Sequence, residues 1–135
     1  MGKTKVVLDT NILVSALGWK GNPRKIFNLI KEGKIEALTS DEQMKELSRV
    51  LDYPRLNFSD EQKIDIKSTI SILFALVRPV EKINIIKEDS DDNIILECAQ
   101  EGKADFIVSG DPHLLKLKGF EGIKIVSPAQ FIKEV

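Results

Sequence analysis

Short apolar runs alternate with segments of helical spacing along this chain. The first run, Val6-Val7-Leu8, is followed at once by Asp9-Thr10-Asn11. Three consecutive apolar residues, two of them β-branched, predict a central strand of a parallel sheet buried on both faces. Residues 12–17 predict a short helix stopped by Gly18, and 18–22 a loop. Pro23 fits the first turn of a helix carrying Ile26, Phe27, Leu29 and Ile30 and ending at Gly33. Residues 35–38 read as a strand, and Thr39 or Ser40 as the cap of a helix over 41–51 whose apolar stripe is Met44, Leu47, Val50 and Leu51. Pro54 ends it.

Ser59 caps a longer helix running through Ile64, Ile66, Ile70, Ile72 and Leu73, and residues 75–80 read as a strand that Pro79 assigns to a sheet edge. A loop follows over 81–88, with an extended piece at 83–86. Residues 91–101 predict a helix with Ile94, Ile95, Cys98 and Ala99 on its core face, closed by Gly102. A strand over 104–109 turns through Gly110-Asp111-Pro112 into another helix. The last strand is 123–126, and Ser127-Pro128 starts a final helix. Strands alternating with helices indicate a parallel sheet covered on both faces.

Composition narrows this picture without changing it. A chain of 135 residues, 42% hydrophobic and 30% charged, is one globular domain spanning 1–135 with a real core. No apolar run reaches membrane-spanning length, and the first residues lead directly into a strand rather than a signal peptide, so a cytoplasmic protein is expected. The single Cys98 excludes an internal disulfide and suits a reducing compartment; one Cys and one His leave no structural zinc site within the chain. A net charge of −1 makes no global electrostatic case for nucleic acid. Acids that hold divalent cations, however, present positive charge to phosphate once loaded.

Four acids therefore carry the chemistry. Asp9 and Asp111 each follow an apolar strand, which sets both along the carboxyl-terminal edge of the sheet, where open α/β folds bind ligands. Each also has a plain alternative as a helix cap. Asp92 lies in the acidic run Glu88-Asp89-Ser90-Asp91-Asp92-Asn93, which holds more carboxylates than capping a helix requires. Helical phase sets Asp91 nearer the centre of the apolar stripe and Asp92 beside Ala99, leaving open which points inward. Glu46 falls about 40° from Val50 around its helix, at the margin of the apolar stripe. Converging carboxylates cannot all ionise without a cation between them, and oxygen ligands select Mg²⁺ or Mn²⁺. Such an ion activates water for attack on a phosphodiester. No nucleophile elbow accompanies His113, which reads as a surface or structural residue.

Assembled in this way, the chain resembles the PIN-domain family nearly end to end, in particular the small prokaryotic (VapC-like) PIN proteins that are toxin components of toxin–antitoxin pairs. Val-Leu-Asp-Thr-Asn resembles the first family motif, with Asp9 in the metal-binding place and Asn11 in its supporting polar place. Glu46 within Lys45–Leu51, Asp92 within the acidic run and Asp111 after Val108-Ser109-Gly110 match the second, third and fourth acids, and Ser109 stands where the family often has Thr. Leu114-Leu115 and Ile125-Val126-Ser127-Pro128 continue the similarity. The resemblance implies a three-layer α/β/α sandwich with a central parallel sheet of four or five strands. It also implies a metal-dependent ribonuclease acting on single-stranded RNA, with Asp9, Glu46, Asp92 and Asp111 as catalytic metal ligands. Asn11, Ser109, Asp89 and Asp91 would support them.

Mg²⁺ or Mn²⁺ is the expected cofactor; RNA, an antitoxin protein and a second copy of the chain are the expected partners, with no membrane. Arg24, Lys25, Lys45 and Arg49 are candidates for tracking the RNA backbone, and Trp19 for a dimer or partner contact. Two phosphotransfer alternatives fit less well. A haloacid-dehalogenase-type phosphatase needs an Asp where Asn11 stands, and a response-regulator receiver needs an acidic pair after its first strand. A non-catalytic metal- or partner-binding α/β module is the alternative from a different class.

Overall fold

In a computed structural model, which describes residues 2–87 and 91–135, the opening apolar run forms β1 (Thr4–Leu8) in the interior of the sheet. β1 pairs in parallel with β2 (Ile35–Ser40) on one side, and β2 with β3 (Ala75–Val77), the edge that Pro79 predicts. On its other side β1 pairs with β4 (Phe106–Val108), Val6 opposite Phe106. β5 (Gly119–Phe120) is antiparallel to β6 (Ile123–Val126), and β6 is parallel to β4. The order is β3-β2-β1-β4-β6-β5. Five strands are parallel, as expected. The sixth, β5, adds a two-residue antiparallel edge, too short to show any period in the sequence.

Alternation along β1 divides the core. Val6 and Leu8 face a cluster built by α1 (Thr10–Gly18), α2 (Asn22–Lys31), α3 (Asp41–Leu51), α4 (Asp60–Leu73) and α7 (Pro128–Glu134). Val7 faces a second cluster built by α5 (Asp91–Gly102) and α6 (Pro112–Leu115). This is the three-layer α/β/α sandwich. Ser40, Ser59 and Ser127 accept from backbone N–H groups as helix caps, the latter two in full capping boxes. The apolar residues of α4 prove less inward than their number suggests: Ile66 and Ile70 are buried, whereas Ile64 and Ile72 are exposed.

The expected extended piece at 83–86 is no strand. It is held by side chains four residues apart along α5. Asn93 Oδ1 accepts from the N–H groups of Ile85 and Ile86 at 3.2 and 3.0 Å, and Asn93 Nδ2 donates to the Ile86 carbonyl at 2.7 Å. Glu97 accepts from Ile83 N at 2.8 Å and Glu101 from Val80 N at 3.3 Å. Residues i and i+4 share a helix face, so α5 offers this segment a row of acceptors where a neighbouring strand would offer carbonyls.

Gly102 closes α5 against β2 and β3. A Cβ there would lie 2.5 Å from Leu38 Cδ1 and 3.1 Å from Val77 Cγ2. Leu38 is itself buried, so it cannot swing clear. Overpacking of about 1–3 kcal/mol outweighs the helix propensity that alanine gains over glycine, at most about 1 kcal/mol. Gly102→Ala is expected to lower stability in urea unfolding by about 1 kcal/mol net; an increase would show that the two strands yield.

Candidate functional site

β2 and β3 lie on one side of β1 and β4, β6 and β5 on the other, which makes the carboxyl end of β1 the topological switch point. Asp9 emerges there with 6% of its surface exposed. Its two carboxylate oxygens do different things. Oδ1 accepts from Ile12 N at 2.9 Å and so caps α1, while Oδ2 accepts from the Ser109 hydroxyl beyond β4. Capping and site geometry are thus properties of one side chain. Burial pushes the Asp9 carboxyl above its ordinary value; the Ser109 and Ile12 donors oppose that, and the nearby charge of Asp111 adds to it.

Asp111 follows β4 and is tied to the same hydroxyl, since Asp111 N donates to Ser109 Oγ at 2.9 Å. Ser109 therefore links the acid that follows β1 to the one that follows β4. Asp111 Oδ1 accepts from His113 N at 2.7 Å, and His113 Nδ1 lies 3.4 Å from the same oxygen. Glu46, from α3, accepts from the Thr10 hydroxyl. Its carboxyl is also raised, first by burial and then by Asp91, with Thr10 and Arg49 opposing.

α5 resolves the open choice in the acidic run. Asp92 is buried, and Asp91 is half-exposed and paired with Arg49 at 3.5 Å. The phase reading had Asp91 nearer the stripe because it counted Ile94 as core. Ile94 is only half-buried, whereas Leu96 is fully buried, and the buried positions of α5 are 92, 93 and 95–99. Asp89 lies outside the described residues.

The result is one cleft of about 180 Å³ lined by Asp9, Glu46, Asp91, Asp92 and Asp111. Asn11 stands exposed on its wall, and Tyr53 and Arg55 on its rim. Beneath it sits a residue that the pattern of polar and apolar positions does not reveal. Gln43 is completely buried; its Nε2 donates to the Leu8 carbonyl at 2.6 Å, and its Oε1 accepts from Thr39 Oγ1 at 2.7 Å. It joins the ends of β1 and β2 just where the sheet delivers Asp9.

His113, read from the sequence as a surface or structural residue, is partly exposed and stands next to two of these acids. Ligand atoms of Asp92, Asp111 and His113 lie within 4.8 Å of one another. Donors around a divalent ion stand about 3 Å apart when adjacent and about 4 Å when opposite, at bond lengths near 2.1 Å. This group therefore fits such an ion after a small contraction. Mostly oxygen donors with a single imidazole suit Mg²⁺ or Mn²⁺, and the imidazole favours Mn²⁺.

The candidate backbone-tracking cations are dispersed. Arg24 donates to the Ala16 and Leu17 carbonyls, satisfying the end of α1. Lys25 lines a separate cavity with Thr4, Ile35 and Phe106, at the amino ends of the strands. Lys45 pairs with Glu42 at 3.4 Å on the outer face of α3. Arg49, through Asp91, is the one of the four placed at the cleft. Trp19 is half-exposed and packs edge-on against Phe58, ring centroids 5.9 Å apart.

Comparison with known proteins agrees with this geometry. A family model described as the PIN domain matches residues 5–113. An uncharacterized protein of Methanocaldococcus jannaschii, MJ1680, is 34% identical over 98% of this chain and 92% of its own length. Among solved structures, VapBC2 from Rickettsia felis, bound to a DNA fragment from their promoter, superposes with a TM-score of 0.62 at 16% identity. That match covers 90% of this chain and 97% of the other. FitAcB from Neisseria gonorrhoeae gives 0.57 at 11% identity, over 92% and 98%. These two likenesses concern the fold.

Proposed function

The chain belongs to the PIN domain family, and from that premise we propose that it is a metal-dependent endoribonuclease that hydrolyses phosphodiester bonds of single-stranded RNA. The observation that carries the reading is the meeting of Asp9, Glu46, Asp92 and Asp111, from four separate elements, at one small cleft. These acids and His113 would hold the ion. The chemistry an ion supplies when held there is neutralisation of phosphoryl charge and acidification of water.

The remaining work belongs to the chain itself. The hydroxyl of Ser109 and the N–H of Ile12 fix both oxygens of Asp9, and the Thr10 hydroxyl orients Glu46. Raised Asp9 and Glu46 carboxyls hold their protons to higher pH than free acids do, so protons compete with the metal there and binding strengthens as pH rises. Covalent catalysis by the single cysteine finds no support, because burial pushes the Cys98 thiol up to about 12.

The test is incubation of labelled single-stranded RNA, and of DNA of the same sequence, with Mg²⁺ or Mn²⁺ and with EDTA. Internal cuts in the RNA that need the metal are expected. RNA left whole in both metals would reduce the protein to a binding module. We extend the proposal to a toxin–antitoxin pair with this chain as the toxin, supported by the shape it shares with the VapBC2 chain. Growth arrest on expression, dependent on Asp9, is the expected sign.

A further inference from the structure

We propose that Tyr53 and Arg55 form a nucleotide platform on the rim of the acidic cleft, Tyr53 stacking an unpaired base and Arg55 holding the adjacent phosphate. The proposal rests on the nuclease reading for the chemistry at the acids, but its own support is separate.

The chain leaves α3 and bends through a single 3-10 turn, Pro54–Leu56. Pro54 fixes one backbone angle, and Asn57 takes up the left-handed conformation with φ of 53°. Tyr53 N donates to Val50 O at 3.0 Å, Leu56 N to Tyr53 O at 3.0 Å and Asn57 N to Pro54 O at 3.1 Å. The bend is therefore well held although it is exposed. It carries Tyr53, 44% exposed, and Arg55, whose guanidinium carbon lies 5.3 Å from the Tyr53 ring centroid. A guanidinium at this distance from a ring face holds both side chains in register.

Both line the cleft that contains the five carboxylates. Arg49 at the same cleft is engaged with Asp91, whereas Arg55 makes no ion pair among the described residues. A positive group at the mouth of an acidic site, uncommitted to its acids, is suited to an incoming anion.

Volume assigns the remaining part. The cleft measures about 180 Å³. That accommodates a hydrated ion and a phosphoryl group but no nucleoside, since pockets that enclose a whole small organic ligand start near 300 Å³. The base of a nucleotide whose phosphate enters the cleft must lie outside it. Tyr53 is the aromatic side chain on that rim. Stacking on a single ring favours any unpaired base and excludes a duplex, so the ligand class is single-stranded nucleic acid with weak base preference.

The test is fluorescence anisotropy of a labelled single-stranded oligoribonucleotide, in an Asp9→Asn background with Mg²⁺ so that the probe survives. A matched probe carries abasic sugars. On the normal probe Tyr53→Ala should raise Kd roughly 5- to 100-fold and Tyr53→Phe should stay near the parent. On the abasic probe Tyr53→Ala should change nothing. Arg55→Ala should weaken binding of both probes and lower the salt slope by about one. Thermal unfolding of each variant controls for folding, and the exposure of both side chains makes unchanged midpoints the expectation.

Equal affinity of Tyr53→Ala and parent for the normal probe overturns the platform, as does an equal loss on both probes or equally tight binding of a duplex. If that happens while the wild-type protein still cuts RNA, the nuclease reading stands alone. If the parent binds no probe and the wild type cuts nothing, both fall together.

Discussion

Asp9→Asn is expected to abolish RNA cleavage, by about 10³-fold or more, and at the same time to stabilise the metal-free protein. The two effects have one cause. Burial makes the charged form of Asp9 costly, and the Ser109 and Ile12 donors do not fully offset it, so the carboxyl is raised above its ordinary value. A raised carboxyl contributes stability that is present below its unfolded value and is lost as pH climbs through the folded one. At neutral pH in EDTA the cost of ionising Asp9 in its buried place therefore works against the fold. Asparagine keeps the oxygen that caps α1 at Ile12 and carries no charge.

The thermal midpoint of Asp9→Asn in EDTA at pH 7 should rise by roughly 3–5 °C, the shift that about 1 kcal/mol gives in a domain of this size. The gain should shrink as pH falls below the ordinary aspartate range. Added Mn²⁺ should reverse the order, because only the wild type binds it well. A variant less stable than wild type in EDTA at neutral pH would mean that the hydrogen bonds of Asp9, not its desolvation, dominate its energetics.

Gln43→Leu should have the largest effect on stability, a loss of about 2–4 kcal/mol. Leucine fills much the same space but leaves the Leu8 carbonyl without its side-chain donor and the Thr39 hydroxyl without its acceptor, both in a dry interior. Each buried polar group so abandoned costs about 1–3 kcal/mol. Urea unfolding measures the loss. Because Gln43 braces the residue immediately before Asp9, cleavage measured well below the unfolding midpoint should fall as well. A change under about 0.5 kcal/mol, within the range of an ordinary surface substitution, would show that water replaces the amide there.

The comparison of sequence with structure shows where each kind of signal ends. Continuous apolar runs located β1 and β4 because burial on both faces of a parallel sheet demands them, and short runs broken by one charged residue located β2 and β6. Ser59 and the pair Ser127-Pro128 located the starts of α4 and α7. Polar residues inside the core left no such mark. Gln43 sits among the acids and lysine of α3 and looks solvated, and only the tertiary placement of Leu8 and Thr39 at the ends of β1 and β2 gives it two partners. The choice between Asp91 and Asp92 stayed open for a similar reason: Ile94 and Leu96 are equally apolar, and only tertiary contact decides which is core. The spacing Asp111-Pro112-His113 said nothing of α5, which brings Asp92 within reach of the imidazole. Arg24 carries the charge of a phosphate-binding residue, yet the carbonyls at the end of α1 claim it.

The placement of β1 has a consequence for how the protein comes into being. β1 is completed by a strand made a hundred residues later, through the Ser109–Asp9 hydrogen bond and the pairing of Val6 with Phe106. Closure over so long a stretch is slow, and it waits until β4 and β6 have left the ribosome. A chain still in synthesis holds Asp9 and Glu46 but no finished cleft. On the proposed function, a nascent chain that stops short of Asp111 cannot cut RNA.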